Sequence, residues 1–241
     1  MMVVRGVLLA SAMIAACCGV ARADPAPDMT AAKPARALHW LDAQAFAPDH
    51  VLPEPAAVGS PDQQAEMATL RAFAQNTSPE RRAAAAVDAD DETLRAFNAA
   101  AGRDLTALPA TSRLIDLFEQ DIEAVADNAK RQFHRTRPYI VDPALIRCGK
   151  ESTKGAERSY PSGHATFGWS VAWVLADLMP ERRAALFARA RDYGFSREIC
   201  AAHYPSDIEA GHVLGVLTAR ALLADPRLAP QIAAARAELR R

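Results

Sequence analysis

Three short stretches hold the residues whose types and spacing suit chemistry. The first is Lys130 to Pro138, in which Lys130 and Arg137 stand seven residues apart. Two helical turns would put both on one face, and Pro138 disfavours the helical conformation at Arg137, so a helix is expected to end there with Arg137 projecting from it. The second is Pro161-Ser162-Gly163-His164, followed by an apolar run from Ala165 to Met179. This reads as a turn feeding a helix, and the first amide groups of a helix lack helical acceptors and favour an anion. Gly163 lets a ligand approach the backbone, with His164 beside it as donor or acid. The third is Ser196-Arg197, five residues, His203, three residues, Asp207. An aspartate near a histidine can fix the imidazole by hydrogen bond and leave the other ring nitrogen free as a nucleophile. Lys130, Arg137 and Arg197 as cations, Ser162 and Gly163 as neutral donors, and the two histidines form a set that suits a phosphoryl group. Its transition state spreads charge over equatorial oxygens.

Taken together, these positions resemble the three-part signature of the type 2 phosphatidic acid phosphatase superfamily, and every fixed position is matched. Within it the chain is most similar to the class A bacterial non-specific acid phosphatases. That closer likeness is carried by Ser159-Tyr-Pro-Ser-Gly-His164, by Ser196-Arg-Glu-Ile-Cys-Ala-Ala-His203, and by Leu52-Pro-Glu-Pro-Ala-Ala-Val-Gly-Ser60 upstream. It covers Leu52 to the C-terminus. Two positions depart from the common text of the class: Arg158 stands where Gly is usual, and Ala165 where Thr is frequent. Both fall outside the catalytic positions and bear on the substrate rim.

The resemblance implies a role for each residue. His203 attacks phosphorus, Asp207 orients and supports it, and His164 gives a proton to the leaving oxygen and then takes one from water. Lys130, Arg137, Ser162, Gly163 and Arg197 hold the phosphoryl oxygens. It also implies an all-α, single compact multi-helix domain, no cofactor and no metal, small-molecule phosphate monoesters as substrates, inhibition by vanadate or phosphate, and a homo-oligomer. Independently of the family, His203 has to be neutral while His164 is protonated, so their environments must push the two pKa values apart, and an acidic working range follows. Alternatives remain open here: phosphotransfer to sugars or nucleosides from the same intermediate, a vanadate-dependent haloperoxidase, or a non-catalytic phosphate-binding protein.

The elements that must position these groups are helical. The chain has 241 residues, 50% of them hydrophobic and only 6% aromatic, with a formal charge of −1. This length suits one domain with a substantial core. The near-neutral charge gives no reason to expect a nucleic acid polymer or an anionic membrane surface as partner. Runs of alternating apolar and polar residues are absent. Residues 1–23 read as a secretory signal, with Arg5, the apolar Val7 to Ala16 and the small-x-small Ala21-Arg22-Ala23 before Asp24. A periplasmic protein without stable membrane insertion is therefore expected, and lipid phosphatase activity is disfavoured. Ile14-Ala15-Ala16-Cys17 resembles a lipobox, which is the alternative to cleavage after Ala23. Loss of Arg5 and Arg22 takes the 28 basic residues to 26 against 29 acidic ones, a charge near −3. Cys148 and Cys200 then remain, and two cysteines in an exported chain are expected to pair; two separate buried thiols are the alternative.

Residues 24–60 are expected to form an irregular arm pinned by Trp40 and Phe46, and residues 61–241 the catalytic domain. Ser60-Pro61 reads as a helix start. Helices are expected at Asp62 to Ala74, Pro79 to Val87 and Asp91 to Ala101. A further one carries the buried stripe Leu114, Phe118, Ile122, Val125 and Ala129, with Lys130 at its edge. Arg137 to Tyr160 is a long connection expected at the pocket mouth, where Tyr139 and Tyr160 either pack on a leaving group or serve as ordinary packing aromatics. Helices at Ala165 to Met179 and Pro180 to Tyr193 follow, and a last one runs from Pro205 through Ala224 with Ile208, Val213, Val216, Leu217 and Leu222 as core. His39 and His50 are expected in solvent, His134 occupies a free position of the signature, and His212 is expected to pack rather than to ligate.

Overall fold

The computed structural model describes residues 35–148 and 155–241. The secretory signal and the first part of the arm lie outside the described residues. Among the described residues there are helices and no strands. In chain order they are α1 (Pro48–Val51), α2 (Pro61–Asn76), α3 (Pro79–Asp90), α4 (Asn98–Ala101), α5 (Pro109–Phe133), α6 (Pro138–Val141), α7 (Gly163–Leu178), α8 (Arg183–Ile199), α9 (Pro205–Ala224) and α10 (Ala229–Leu239).

Side-chain capping starts several of them. Ser60, Ser78 and Ser162 each accept a hydrogen bond from the backbone N–H three residues on, which satisfies an amide the helix cannot. Pro61 and Pro79 follow two of these caps at a position where no N–H is needed. Helix α7 is apolar on all sides and buries Phe167, Val171, Val174 and Leu175, as a central helix must. Around it pack α5, α8, α9 and α10, with Leu114, Phe118, Leu186, Leu222 and Ile232 in one continuous core.

The closest packing is between α7 and α9, and glycine makes it. A Cβ on Gly211 would meet the Ser162 carbonyl oxygen and Ala165 Cβ, each at 2.7 Å, and one on Gly215 would meet the Thr166 carbonyl at 2.5 Å. The buried face of α9 is therefore Ala210, Gly211, Leu214, Gly215, Thr218, Ala219 and Leu222. Val213 and Leu217 are exposed, contrary to the expectation that they are core. Small residues allow backbone approach there, and the larger aliphatic groups are left on the other side.

Several boundaries differ from expectation. Residues 91–101 do not form one helix but a 3-10 turn, Leu94–Phe97, and the short α4. The segment expected at Pro180 to Tyr193 begins with a 3-10 turn, and α8 runs on to Ile199, so Ser196 and Arg197 are helical. Helix α10 follows the one expected to be last. Most consequential is α5, which stops at Phe133 because His134 takes a left-handed conformation with φ 48°. Lys130 is thus in the last turn of α5, while Arg137 is extended and caps α6. The two do not share a helix face. The restraint Pro138 places on Arg137 does hold.

The described part of the arm is irregular apart from α1. The buried carboxylate of Asp121 on α5 accepts from the backbone N–H groups of His39, Trp40 and Leu41 at 2.7, 2.8 and 2.9 Å. Trp40 packs on the main core and Phe46 on a smaller cluster around Leu52, Val125 and Tyr160. Cys148 and Cys200 form a disulfide, which ties the segment after α6 to the C-terminal end of α8. No described helix is long and apolar enough to cross a membrane.

Candidate active site

His203 lies on the turn between α8 and α9 and is buried. Its Nδ1 is 2.7 Å from the carbonyl oxygen of Ser159 and 3.4 Å from Asp207 Oδ2. Its Nε2 is 3.1 Å from Arg137 Nη1. A guanidinium can only donate and a carbonyl can only accept, so the proton belongs on Nδ1 and the lone pair on Nε2. Burial first, then Arg137, Arg197 and Lys130, push the imidazole well below its usual range. This histidine is neutral, with an unprotonated nitrogen turned toward cations.

Asp207, in the first turn of α9, is fully buried. Its carboxylate accepts from Ser159 Oγ at 2.5 Å, from the Tyr204 N–H at 2.9 Å and from Arg135 Nη1 at 2.6 Å. Its backbone carbonyl accepts from the N–H of Ser162 at 2.9 Å, which locks the starts of α7 and α9 together. Burial pushes the carboxyl up, and Arg135, Ser159 and Tyr204 oppose that by bonding the ionised form. Arg135 also reaches Glu66 at 2.6 Å and lies over the Tyr204 ring at 3.9 Å.

At the start of α7, Ser162 Oγ accepts from the Ala165 N–H at 3.3 Å. The Ser162 N–H is committed to Asp207, so Gly163 and His164 supply the open amides of this helix end. A Cβ on Gly163 would lie 2.8 Å from Lys130 Nζ; glycine is what admits the ammonium there. Burial, then Arg137, push Lys130 down to about 8, against the pull of Glu92. Arg197 Nε and Nη1 are buried with no hydrogen-bond partner among the described residues, donors that an anion would satisfy. Arg137 donates from Nε to the Gly155 carbonyl and from Nη1 to the Ala202 carbonyl, at 2.9 and 2.8 Å.

His164 Nε2 is 3.2 Å from the carbonyl of Ala89, and its ring stacks on Tyr193 with centroids 5.6 Å apart. Its Nδ1 is 3.6 Å from Glu92 Oε1. Burial, then Arg197 and His203, push it well below the usual histidine range. Both imidazoles are pushed the same way here, not apart as the sequence argument requires. The cations that depress His164 are the ones a bound phosphoryl dianion would neutralise.

The fold thus gathers Lys130, Arg137, Ser162, Gly163, His164, Arg197, His203 and Asp207. Sequence reasoning did not include Ser159, Arg135, Glu66, Ala89 or Glu92; Arg135 lies inside the first signature stretch, Ser159 stands two residues before the second, and the others have no local signal. Tyr160 does not face a leaving group. It is buried, with its ring edge-on to Phe133 and its hydroxyl donating to the Pro53 carbonyl at 2.9 Å. Tyr139 has the Arg147 guanidinium over its ring at 4.7 Å. His39, His50 and His134 are exposed, and His212 packs on Trp169 with ring centroids 3.8 Å apart and the planes tilted by 30°. Among the described residues no cluster of three or more His, Cys, Asp or Glu side chains is placed to hold a metal ion.

Residues 121–229 match the PAP2 superfamily. An acid phosphatase of Zymomonas mobilis is 34% identical over 194 residues, 78% of this chain and 74% of that protein. A non-specific acid phosphatase of Providencia stuartii is 29% identical over 209 residues, 83% of this chain and 84% of the relative. One from Salmonella typhimurium is 37% identical over 113 residues, 46% of this chain and 45% of its own length. The family match contains every signature residue from Lys130 to Asp207 and the likeness to acid phosphatases runs well beyond it, so the chain belongs to the PAP2 superfamily, among the acid phosphatases of the bacterial class A type.

Proposed function

We propose that the protein hydrolyses small phosphate monoesters of broad range through a phosphohistidine on His203. The observation that carries this is the state of His203, with Nδ1–H given to the Ser159 carbonyl and Nε2 left with its lone pair beside Arg137. Nε2 forms a bond to phosphorus as the ester P–O bond breaks. The leaving oxygen takes its proton from His164. Water then gives a proton back to His164 and attacks phosphorus, the P–N bond breaks, and phosphate leaves with His203 neutral again. Lys130, Arg137, Arg197 and the open N–H groups of α7 hold the three equatorial oxygens, and Asp207 supports the positive ring of the intermediate. The broad range is taken from the non-specific acid phosphatases among the relatives.

The test is covalent capture. Wild-type protein mixed briefly with radiolabelled substrate and quenched in alkali is expected to retain label, and His203→Ala to retain none. Label in that variant would remove His203 as nucleophile. The expected export is tested separately: cell fractionation should place the protein in the periplasm, with an N-terminus at Asp24.

A further inference from the structure

Glu92 follows the end of α3 and belongs to none of the three signature stretches. Its Oε1 lies 3.6 Å from His164 Nδ1, and among the described residues it is the one carboxylate within ion-pair distance of that ring. It also faces Lys130. Both line a cavity of about 390 Å³ beside Gly163 and Phe167, and a Cβ on Gly163 would lie 2.8 Å from Lys130 Nζ and 3.9 Å from Glu92 Oε1.

The two nitrogens of His164 have different surroundings. Nε2 faces the Ala89 carbonyl at 3.2 Å, which holds a proton there. Nδ1 is therefore the nitrogen that gains and loses one. The ring as a whole feels Arg197 and the Tyr193 ring from α8, Lys130 from α5, and His203 from the turn before α9. The charged groups among these disfavour a second proton, and Glu92, whose own carboxyl burial pushes up against the pull of Lys130 and Arg197, is the acidic group set against them at Nδ1. Its distance is the telling feature: 3.6 Å is close enough for charge to act and too long for a hydrogen bond that would keep the proton.

We infer that Glu92 is a positioning residue for the proton-donating step: its carboxylate, beside both Lys130 and His164, strengthens the hold of Nδ1 on a proton against the cations that weaken it. This rests on the phosphatase reading given above. Half-exposed, with its side chain 46% accessible, Glu92 can be replaced without opening the core.

The experiment is the pH profile of kcat/KM for ethyl phosphate and for p-nitrophenyl phosphate, in wild type and in Glu92→Gln. Removal of a negative charge beside Nδ1 lowers the pH at which the proton is lost. The alkaline limb in Glu92→Gln is expected to move down by about one pH unit. Above the limb, ethyl phosphate should lose about tenfold, and p-nitrophenyl phosphate, whose leaving group needs little protonation, clearly less. Glu92→Asp should recover part of the shift. An unmoved limb would overturn the inference, as would equal losses on both esters. A raised KM at an unmoved limb would do so too, since Glu92 would then act on Lys130 alone. If wild-type protein turns over neither ester, the phosphatase reading itself fails, an outcome distinct from active proteins with superimposable profiles.

Discussion

Asp207 lies 3.4 Å from His203 Nδ1, yet the 2.7 Å hydrogen bond from that nitrogen goes to the main-chain carbonyl of Ser159. The carboxylate governs the histidine at one remove, by gripping the Ser159 hydroxyl and by its charge. Removing the charge in Asp207→Asn leaves Arg135, which is 5% exposed and paired on both sides with carboxylates, with Glu66 alone to balance it. The expected cost is about 3 kcal/mol of stability, with a loss of roughly a hundredfold or more in kcat/KM. Ser159→Ala keeps the carbonyl that orients His203 and removes only the hydroxyl, so about 1–2 kcal/mol and roughly tenfold are expected. Thermal unfolding and steady-state kinetics on both variants check this. Equal damage from the two would mean that the hydroxyl, not the carbonyl, is what fixes the ring.

The contact of α7 with α9 sets the distance between the open amides at Gly163 and the His203 ring. Gly215→Ala would place a methyl group 2.5 Å from the Thr166 carbonyl and 3.1 Å from the Ser170 N–H. Backbone cannot yield as a side-chain tip does. We expect about 2 kcal/mol of destabilisation or more, and reduced activity in the protein that still folds. Val213→Ala, on the exposed side of the same helix, should change stability by less than about 0.5 kcal/mol. Urea unfolding of the pair separates the two faces, and similar midpoints would contradict the assignment of the buried one.

What was legible from the residues is what short spacing can encode. The triplet of stretches between Lys130 and Asp207 marked the site because each lies at a helix end or turn, where a few neighbouring positions determine which groups project. The four-residue interval from His203 to Asp207 did predict proximity, though not that Ser159 would stand between them. The partners left out come from far along the chain: Ala89 is 75 residues from His164, and Arg135 is 72 from Asp207. Only packing brings such pairs together, and no local pattern records it. The faces of α9 were misread for a related reason. Counting large aliphatic residues as core selects Val213 and Leu217, whereas the close crossing with α7 demands Gly211 and Gly215. The end of α5 was misplaced because the left-handed turn at His134 has no glycine to announce it.

The disulfide closes a separation of 52 residues and joins the connection that carries Ser159 to the end of the helix that carries Arg197. By loop entropy alone it is worth about 4 kcal/mol. Denatured, unreduced protein should show no titratable thiol from Cys148 or Cys200. The double variant Cys148→Ala/Cys200→Ala should melt well below wild type and lose activity at temperatures where wild type keeps it. Two free thiols in the unreduced protein would remove the bond from this account.

Glu198, one residue past Arg197, gives a pH dependence of stability with a definite sign. Burial, then the neighbouring charges of Glu66 and Asp207, push its carboxyl up to about 7. The folded state therefore holds this proton more tightly than the unfolded chain, whose glutamate titrates near 4.5. Below that lower value both states are protonated and the full contribution to folding is present. As pH rises from there through 7 the unfolded chain gives up its proton first, and the contribution is lost. Glu198→Gln, neutral throughout, is accordingly expected to match wild type at pH 4 and to be more stable by roughly 3 kcal/mol at pH 8. Chemical denaturation at a series of pH values measures this directly. A stability difference that stays constant from pH 4 to 8 would mean that shape or hydrogen bonding at this position matters, and not the burial of its charge.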